Sequence, residues 1–281
     1  MQVAVAIPCY NGARHVGRCI EALLAQSRVP DQVLVVDDGS TDDSVSVVAS
    51  YPVRLIRHDN NLGLAAARNT ALMNTEASLI VYVDVDAYAD PEMLAALLAG
   101  FQSDGVAGVG GQGIEAVQET VYDRWRGLHA SQGYGPRPRQ RCDHLFGLCM
   151  AYQREALLAV NGFDTYFRTN AEDVDVGFRL NRAGYRLIYT PQARVFHQRQ
   201  DDHVSLHRAM HQWYFWAFIA KRKNAQHPWT LMAGTMRRLF WSDTLPDLIV
   251  RRDWRLVKLD IEMAMVKMLA LFEAARLPNT I

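Results

Sequence analysis

Leu79-Ile80-Val81-Tyr82-Val83-Asp84-Val85-Asp86-Ala87 decides how the chain is read. Its unbroken apolar run fits a strand buried on both faces, as in a parallel sheet. Side chains alternate along a strand, so Asp84 and Asp86 are expected on one side. They stand at the carboxyl end, where open α/β sheets bind ligands. Two crowded carboxylates repel each other unless a positive charge lies between them. A divalent cation with oxygen ligands, its shell completed by substrate phosphates, would supply that charge. The plainer alternative is a solvated strand end leading into a helix, with Asp90-Pro91-Glu92 as N-cap and first turn. An EF-hand loop starting at Asp84 is excluded. Tyr88, Ala89 and Ala95 fall where a ligand, a Gly and a Glu are required.

Outward from this strand, strand and helix alternate. Residues 2–7 read as a strand, and Pro8-Cys9-Tyr10-Asn11-Gly12 as a turn with Asn11 placed for an N-cap. Val16, Ile20, Leu23 and Leu24 recur at helical spacing. A second strand at 32–36 ends in Asp37-Asp38-Gly39-Ser40-Thr41-Asp42, and a third covers 53–56. Asn60-Asn61-Leu62-Gly63 opens another helix. After the Asp84 strand come a helix at 91–101 and a strand at 106–109. This order predicts βαβ units around a mostly parallel sheet.

Beyond Gly110 the period fades. A helix is expected at 117–128, and the Gly-Pro-Arg-rich stretch 133–139 suits a lid or binding loop. Then follow a strand at 145–152, a helix at 154–160, a helix after Glu172-Asp173, and short strands at 186–189 and 193–197. From about Ser205 the chain reads as helical, with aromatics at 213–219, then Lys221-Arg222-Lys223. A last helix carries Ile261, Met265, Met268, Leu269 and Phe272 as its expected buried face. Two regions are therefore expected: 1–204, with halves 1–110 and 111–204, and a C-terminal helical region, 205–281.

The chain holds 30 Lys+Arg and 30 Asp+Glu, so bulk charge gives no case for nucleic acid. Residues 201–281 hold twelve Lys/Arg against eight Asp/Glu, a local excess of four. Cys9, Cys19, Cys142 and Cys149 form no CxxC pair and read as reduced thiols of a cytoplasmic protein. The strand at the amino end argues against a signal peptide, and no apolar run reaches the roughly 18–20 residues that span a bilayer.

Read together, Pro8-Cys9-Tyr10-Asn11, Val35-Val36-Asp37-Asp38-Gly39-Ser40-Thr41-Asp42, Asn60-Asn61-Leu62-Gly63 through Ala67-Arg68-Asn69, and Asp84-Val85-Asp86 form an ordered set. Gly162-Phe163-Asp164, Glu172-Asp173-Val174-Asp175 and Ala183-Gly184-Tyr185-Arg186 extend it. Over residues 1–200 the chain resembles the family 2 glycosyltransferases of the GT-A fold. The resemblance implies a Rossmann-like α/β catalytic domain. It also implies transfer of a sugar from a nucleoside-diphosphate sugar, with inversion at the anomeric carbon.

Position by position, the resemblance puts Pro8, Tyr10 and Asp38 at the base and ribose, and Arg68 beside the diphosphate. Asp84 and Asp86 match the D-x-D motif, with Asp86 the direct ligand of Mn2+ or Mg2+ that would act as a Lewis acid. Asp173 matches the catalytic base, taking a proton from the acceptor hydroxyl. His197 matches a histidine that completes the metal shell in some members, and imidazole favours manganese. Gly147, Leu148 and Cys149 match the acceptor-side wall. Each has a plainer reading: loop acid for Asp38, surface arginine for Arg68, helix-end acid for Asp173, polar strand end for His197. Processive members carry Q-x-x-R-W and membrane spans. Here that region reads His211-Gln212-Trp213-Tyr214-Phe215-Trp216, so single addition is expected.

The implied donor carrier is UDP, and the implied acceptor is a glycan or lipid-linked glycan in cell-surface polysaccharide, lipopolysaccharide or glycolipid assembly. The aromatic and basic segment 213–223, with Arg237-Arg238 and Arg251-Arg252, suits peripheral contact with the inner face of a membrane. The alternative is packing of these aromatics on the catalytic domain. His203, His207 and His211 share one helix face, but the sequence places no further ligand beside them. A sugar-nucleotide nucleotidyltransferase is disfavoured, because no Gly-rich basic loop follows the first strand. A degenerate, non-catalytic binder is disfavoured by the presence of both Asp86 and Asp173.

Overall fold

The computed structural model describes residues 1–103, 105–224 and 246–277. The chain divides into two compact units, Met1–Ala116 with Gln132–Gln198, and Val117–Ser131 with Arg199–Ile281. The strands are β1 (Val3–Cys9), β2 (Gln32–Asp37), β3 (Arg54–Arg57), β4 (Leu79–Val83), β5 (Ala87–Ala89), β6 (Val106–Glu115), β7 (Cys149–Gln153) and β8 (Arg186–His197). The helices are α1 (Val16–Leu24), α2 (Ser44–Val48), α3 (Leu64–Met73), α4 (Met93–Gly100), α5 (Val121–His129), α6 (Arg154–Ala159), α7 (Glu172–Arg182), α8 (His203–Lys223) and α9 (Trp254–Arg276).

The first unit is an α/β layer structure on one sheet of order β3-β2-β1-β4-β7-β6-β8-β5. Strands β3, β2, β1 and β4 pair in parallel. Strand β7 is inserted antiparallel between β4 and β6, β6 pairs parallel with β8, and β5 closes the edge antiparallel to β8. Alternation along β4 feeds both faces. Leu79, Val81 and Val83 join Val16, Ile20, Leu23, Met93 and Leu97 of α1 and α4 in one core. Ile80 and Tyr82 join Ala67, Leu72, Leu157, Val176 and Leu180 of α3, α6 and α7 in another. Removing such side chains from water is worth about 1.5–3 kcal/mol each, so the strand is fixed from both sides.

Several local expectations change. Asn11 does not cap α1; it sits at φ 49°, and its Oδ1 accepts from Thr41 N–H at 2.9 Å. Helix α4 begins at Met93, two residues after Pro91; Asp90 Oδ1 accepts from Glu92 N–H at 3.1 Å, as an N-cap does, and its Oδ2 pairs with Arg194 at 2.8 Å. The two short strands around Pro191 are one strand, because the pairing of β6 with β8 absorbs the irregularity as a register shift between Gly110 and Gln112. Strand β6 itself runs on to Glu115, past the point where the sequence loses its period. The 133–139 loop is tied down: Tyr134 Oη donates to His144 O at 2.8 Å, and Arg139 lies over the Tyr134 ring.

The second unit is helical. Trp125, Leu206, Met210, Leu256, Leu259 and Met263 form its core, with Trp213 and Tyr214 packed against it. Helix α5, which the sequence assigns to the 1–204 region, belongs here, and the division falls after Gln198. The buried face of α9 also differs from expectation. Leu256, Leu259, Met263, Ala270 and Ala274 are buried, while Ile261, Met265, Leu269 and Phe272 are exposed. Both stripes are apolar at helical spacing, so periodicity alone cannot choose between them. Arg237-Arg238 lie outside the described residues. Among the described residues, no helix is long and apolar enough to cross a membrane.

Candidate active site

The chain turns sharply where β4 ends. Ala87 N–H donates to Asp84 O at 3.0 Å, and β5 then pairs with β8, Ala87 opposite His197. Asp84 and Asp86 therefore lie in a turn and not on the strand, so strand alternation does not govern them. Each meets its own partner. Arg68 Nη2 is 2.9 Å from Asp84 Oδ1, and His197 Nε2 is 3.2 Å from Asp86 Oδ2.

Arg68 reaches this turn from α3 with its side chain fully buried. Nη1 donates to Glu172 Oε1 in the first turn of α7, and Nη2 also donates to Gly147 O at 3.1 Å. A Cβ on Gly147 would lie 2.7 Å from Arg68 Nη2, so only glycine lets the guanidinium approach. A desolvated guanidinium needs counter-charges, and Arg68 takes them from Asp84 and Glu172. Burial, which Arg68 only partly offsets, pushes the Asp84 carboxyl up to about 6. Burial likewise raises Glu172 above the ordinary carboxylate range, against the pull of Arg68.

Asp173 stands beside Glu172 at the start of α7. Its Oδ1 accepts from Val174 N–H and its Oδ2 from Gly147 N–H, both at 2.8 Å. Ala171, just before the helix, is held at φ 70°. A left-handed conformation at a non-glycine residue costs about 1–3 kcal/mol and recurs at functional sites. Asp175 points elsewhere and pairs with Arg179 at 2.7 Å.

His197 is set by a residue the sequence did not single out. Its Nδ1 is 2.8 Å from Glu115 Oε2, which leaves Nε2 toward Asp86. Burial alone would lower the His197 pKa, but hydrogen bonds to Asp86 and Glu115 outweigh it and push it up to about 9. Asp86 is half-buried, and its partial desolvation tends to raise it, yet His197 holds it below the usual range. A carboxylate oxygen and an imidazole nitrogen facing each other, with the far nitrogen anchored by a second carboxylate, form a donor set that suits a divalent transition ion. The residues present therefore fit such an ion.

Tyr10, half exposed just beyond β1, and Pro8, buried within it, stand at the carboxyl end of β1. Asp38 clamps the loop that follows β3. Its Oδ1 accepts from Leu62 N–H at 2.9 Å and meets His58 Nδ1 at 2.7 Å, and its Oδ2 accepts from Gly63 N–H at 2.8 Å. Gly39 permits the close approach: it has φ +72°, and a Cβ there would lie 2.6 Å from the Asn60 backbone. The D-D-G and N-x-L-G motifs are thus two halves of one junction. Asp37 was passed over; its carboxylate is 1% exposed and makes no hydrogen bond, with Arg57 Nε at 3.7 Å. Asn69 and Phe163 form a second junction, with Asn69 Nδ2 donating to Phe163 O at 2.7 Å and Phe163 N–H donating back at 2.8 Å.

The model of the family described as "Glycosyl transferase family 2" matches residues 4–160. The chain belongs to this family. The pre-mycofactocin glycosyltransferase of Mycobacterium tuberculosis is 32% identical over 209 residues, covering 70% of this chain and 43% of that protein. The chain thus spans less than half of that relative's length. The N-acetylglucosaminyl-diphospho-decaprenol L-rhamnosyltransferase of the same organism is 29% identical over 272 residues, covering 82% of this chain and 89% of the relative. Among solved structures, a mannosyltransferase from Pyrobaculum calidifontis in complex with GDP-Man and Mn2+ superposes with a TM-score of 0.68. That match has 20% identity and covers 98% of this chain and 86% of the other, so it establishes the GT-A fold.

Proposed function

We propose that the protein is an inverting, non-processive enzyme that moves one sugar from a nucleoside-diphosphate sugar, with UDP as carrier, to a hydroxyl of a glycan or lipid-linked glycan. One observation carries this reading: the buried Arg68 guanidinium ties the Asp84-Val85-Asp86 turn to the first turn of α7, where Asp173 begins the helix. Donor-side and acceptor-side groups are thereby held by one cation.

Asp86 and His197 would hold Mn2+ or Mg2+, and the metal, when bound, supplies Lewis-acid neutralisation of the leaving diphosphate. Glu115 keeps His197 Nε2 turned toward Asp86. Tyr10 and Pro8 line the base end of the donor site, which we assign to residues 1–110. The acceptor side is assigned to those residues of 111–198 that lie in the first unit. Gly147 N–H orients Asp173, which takes the proton from the acceptor hydroxyl as that oxygen attacks from the face opposite the diphosphate.

We assign the protein to the cytoplasm, with its C-terminal helices against the inner face of a membrane. Its place is in cell-surface polysaccharide, lipopolysaccharide or glycolipid assembly. The exposed Ile261, Met265, Leu269 and Phe272 of α9 support this, as does the lipid-linked acceptor in the rhamnosyltransferase relative's name. The test is turnover of UDP-sugars on lipid-linked acceptors, with the product's anomeric configuration read by NMR. A single residue added with inverted configuration is expected. Retained configuration, or a growing polymer, would overturn the reading.

A further inference from the structure

In the second unit, α8 and α9 run in the same direction, since His207 faces Glu262, His211 faces Glu273 and Arg222 reaches Leu277 O. His203 and His207, one turn apart on α8, both turn Nε2 toward a single oxygen, Oε2 of Glu262 on α9. The sequence shows the two histidines but not the third group, which lies more than fifty residues away. We infer that His203, His207 and Glu262 form a site for a divalent transition ion of the Zn2+ class, linking α8 to α9.

The distances are those that a bound ion would leave between its ligands. Nε2 to Oε2 is 3.3 Å from His203 and 3.2 Å from His207. Tetrahedral zinc with bonds of about 2.0–2.1 Å places its ligand atoms about 3.3–3.4 Å apart. Charge-assisted N–H···O bonds are shorter, about 2.7–2.9 Å. The same helix pair provides the contrast: His211 Nε2 lies 2.8 Å from Glu273 Oε2, an ordinary bond. The candidate ligand atoms all lie within 4.8 Å of one another. Two imidazoles and one carboxylate make a His2Glu set with a fourth position open to water. The second Glu262 oxygen, Oε1, is 3.7 Å from Lys258 Nζ, which would hold the carboxylate in place. The Tyr122 ring meets His203 edge-on at 5.8 Å and limits its rotation.

The site is independent of the one at Asp86, so its test removes that site first. Tag-free protein carrying Asp86→Ala is titrated with Zn2+ by calorimetry and with Co2+ by visible absorption. One equivalent of Zn2+ is expected to bind, and Co2+ is expected to give the intense bands of a tetrahedral complex. Both signals should vanish in His203→Ala/His207→Ala and in the size-conserving Glu262→Gln, and persist in His211→Ala. Absence of a stoichiometric site in the Asp86→Ala protein, or binding that survives Glu262→Gln and the double histidine change, would overturn the inference.

Discussion

Each unit buries charge, but to different ends. In the first, the Arg68 side chain is fully buried, yet the carboxylates it and His197 meet, Asp84 and Asp86, keep 27% and 34% of their side-chain surface. In the second, Arg126 and Asp201 are themselves sealed, at 3% and 0% exposure, and a second arginine, Arg199, meets Asp201 at 3.1 Å from the surface. A sealed pair offsets its own desolvation and does no more. A pair with one open member holds a polar group ready for a ligand, and that difference separates an active site from a structural bond. It teaches that burial of charge is no mark of function unless one partner keeps a route to solvent.

The comparison yields graded expectations. The largest effect is on chemistry: Asp173→Asn should lower kcat by about 10²–10⁴-fold while circular dichroism stays unchanged. Turnover that survives at the wild-type rate would remove Asp173 from its role as base. Next come the two arginines. Arg68→Met should cost about 3–5 kcal/mol in denaturant unfolding, because it strands the buried Glu172 carboxylate, and Arg126→Met should cost less, because Arg199 still meets Asp201 at 3.1 Å. Only Arg68→Met should also reduce turnover per folded molecule. Equal loss of turnover in both variants would erase the distinction between open and sealed pairs.

A smaller effect is expected from Glu115→Gln, which loosens His197 without removing a ligand. Calorimetric Mn2+ affinity should fall by about 10–100-fold. The smallest effect is an acid limb. Burial works against ionisation of Asp201, but Arg126 holds its pKa below the ordinary 3.8. A depressed carboxylate contributes stability that is present above its unfolded pKa and lost as pH falls through its folded one. Below about pH 4, Asp201→Asn should therefore show a shallower loss of stability than wild type, by at most about 1.4 kcal/mol per pH unit.

Much of the first unit can be read in the primary structure. Strands β2, β4 and β5 are short runs ended by Asp, and local chemistry alone sets those signals. The site residues are harder. Asp86, Glu172, Asp173 and His197 stand in motifs, although the partner of Glu172 lies 104 residues away, whereas Glu115 acts through a partner 82 residues away and carries no local signature. Asp38 shows a second kind of gap, since the residue type and its loop suit a ligand group, and only the fold reveals that Leu62, Gly63 and His58 also meet it. In the second unit, α9 carries two apolar stripes. The buried one is chosen by Leu206, Met210 and Trp125, on α8 and α5.

The central claim is that Asp86 and His197 hold a cation that a nucleoside diphosphate needs for binding. The most direct test is thermal unfolding with UDP, GDP, dTDP or CMP, each with and without Mn2+, on wild type and Asp86→Ala. A ligand that binds only the folded state raises the midpoint, by about 2.7 kcal/mol of stabilisation at a hundredfold excess over Kd. The account predicts a shift with UDP that requires Mn2+ and disappears in Asp86→Ala. An equal shift in Asp86→Ala, or no shift with any nucleotide in folded protein, would contradict it.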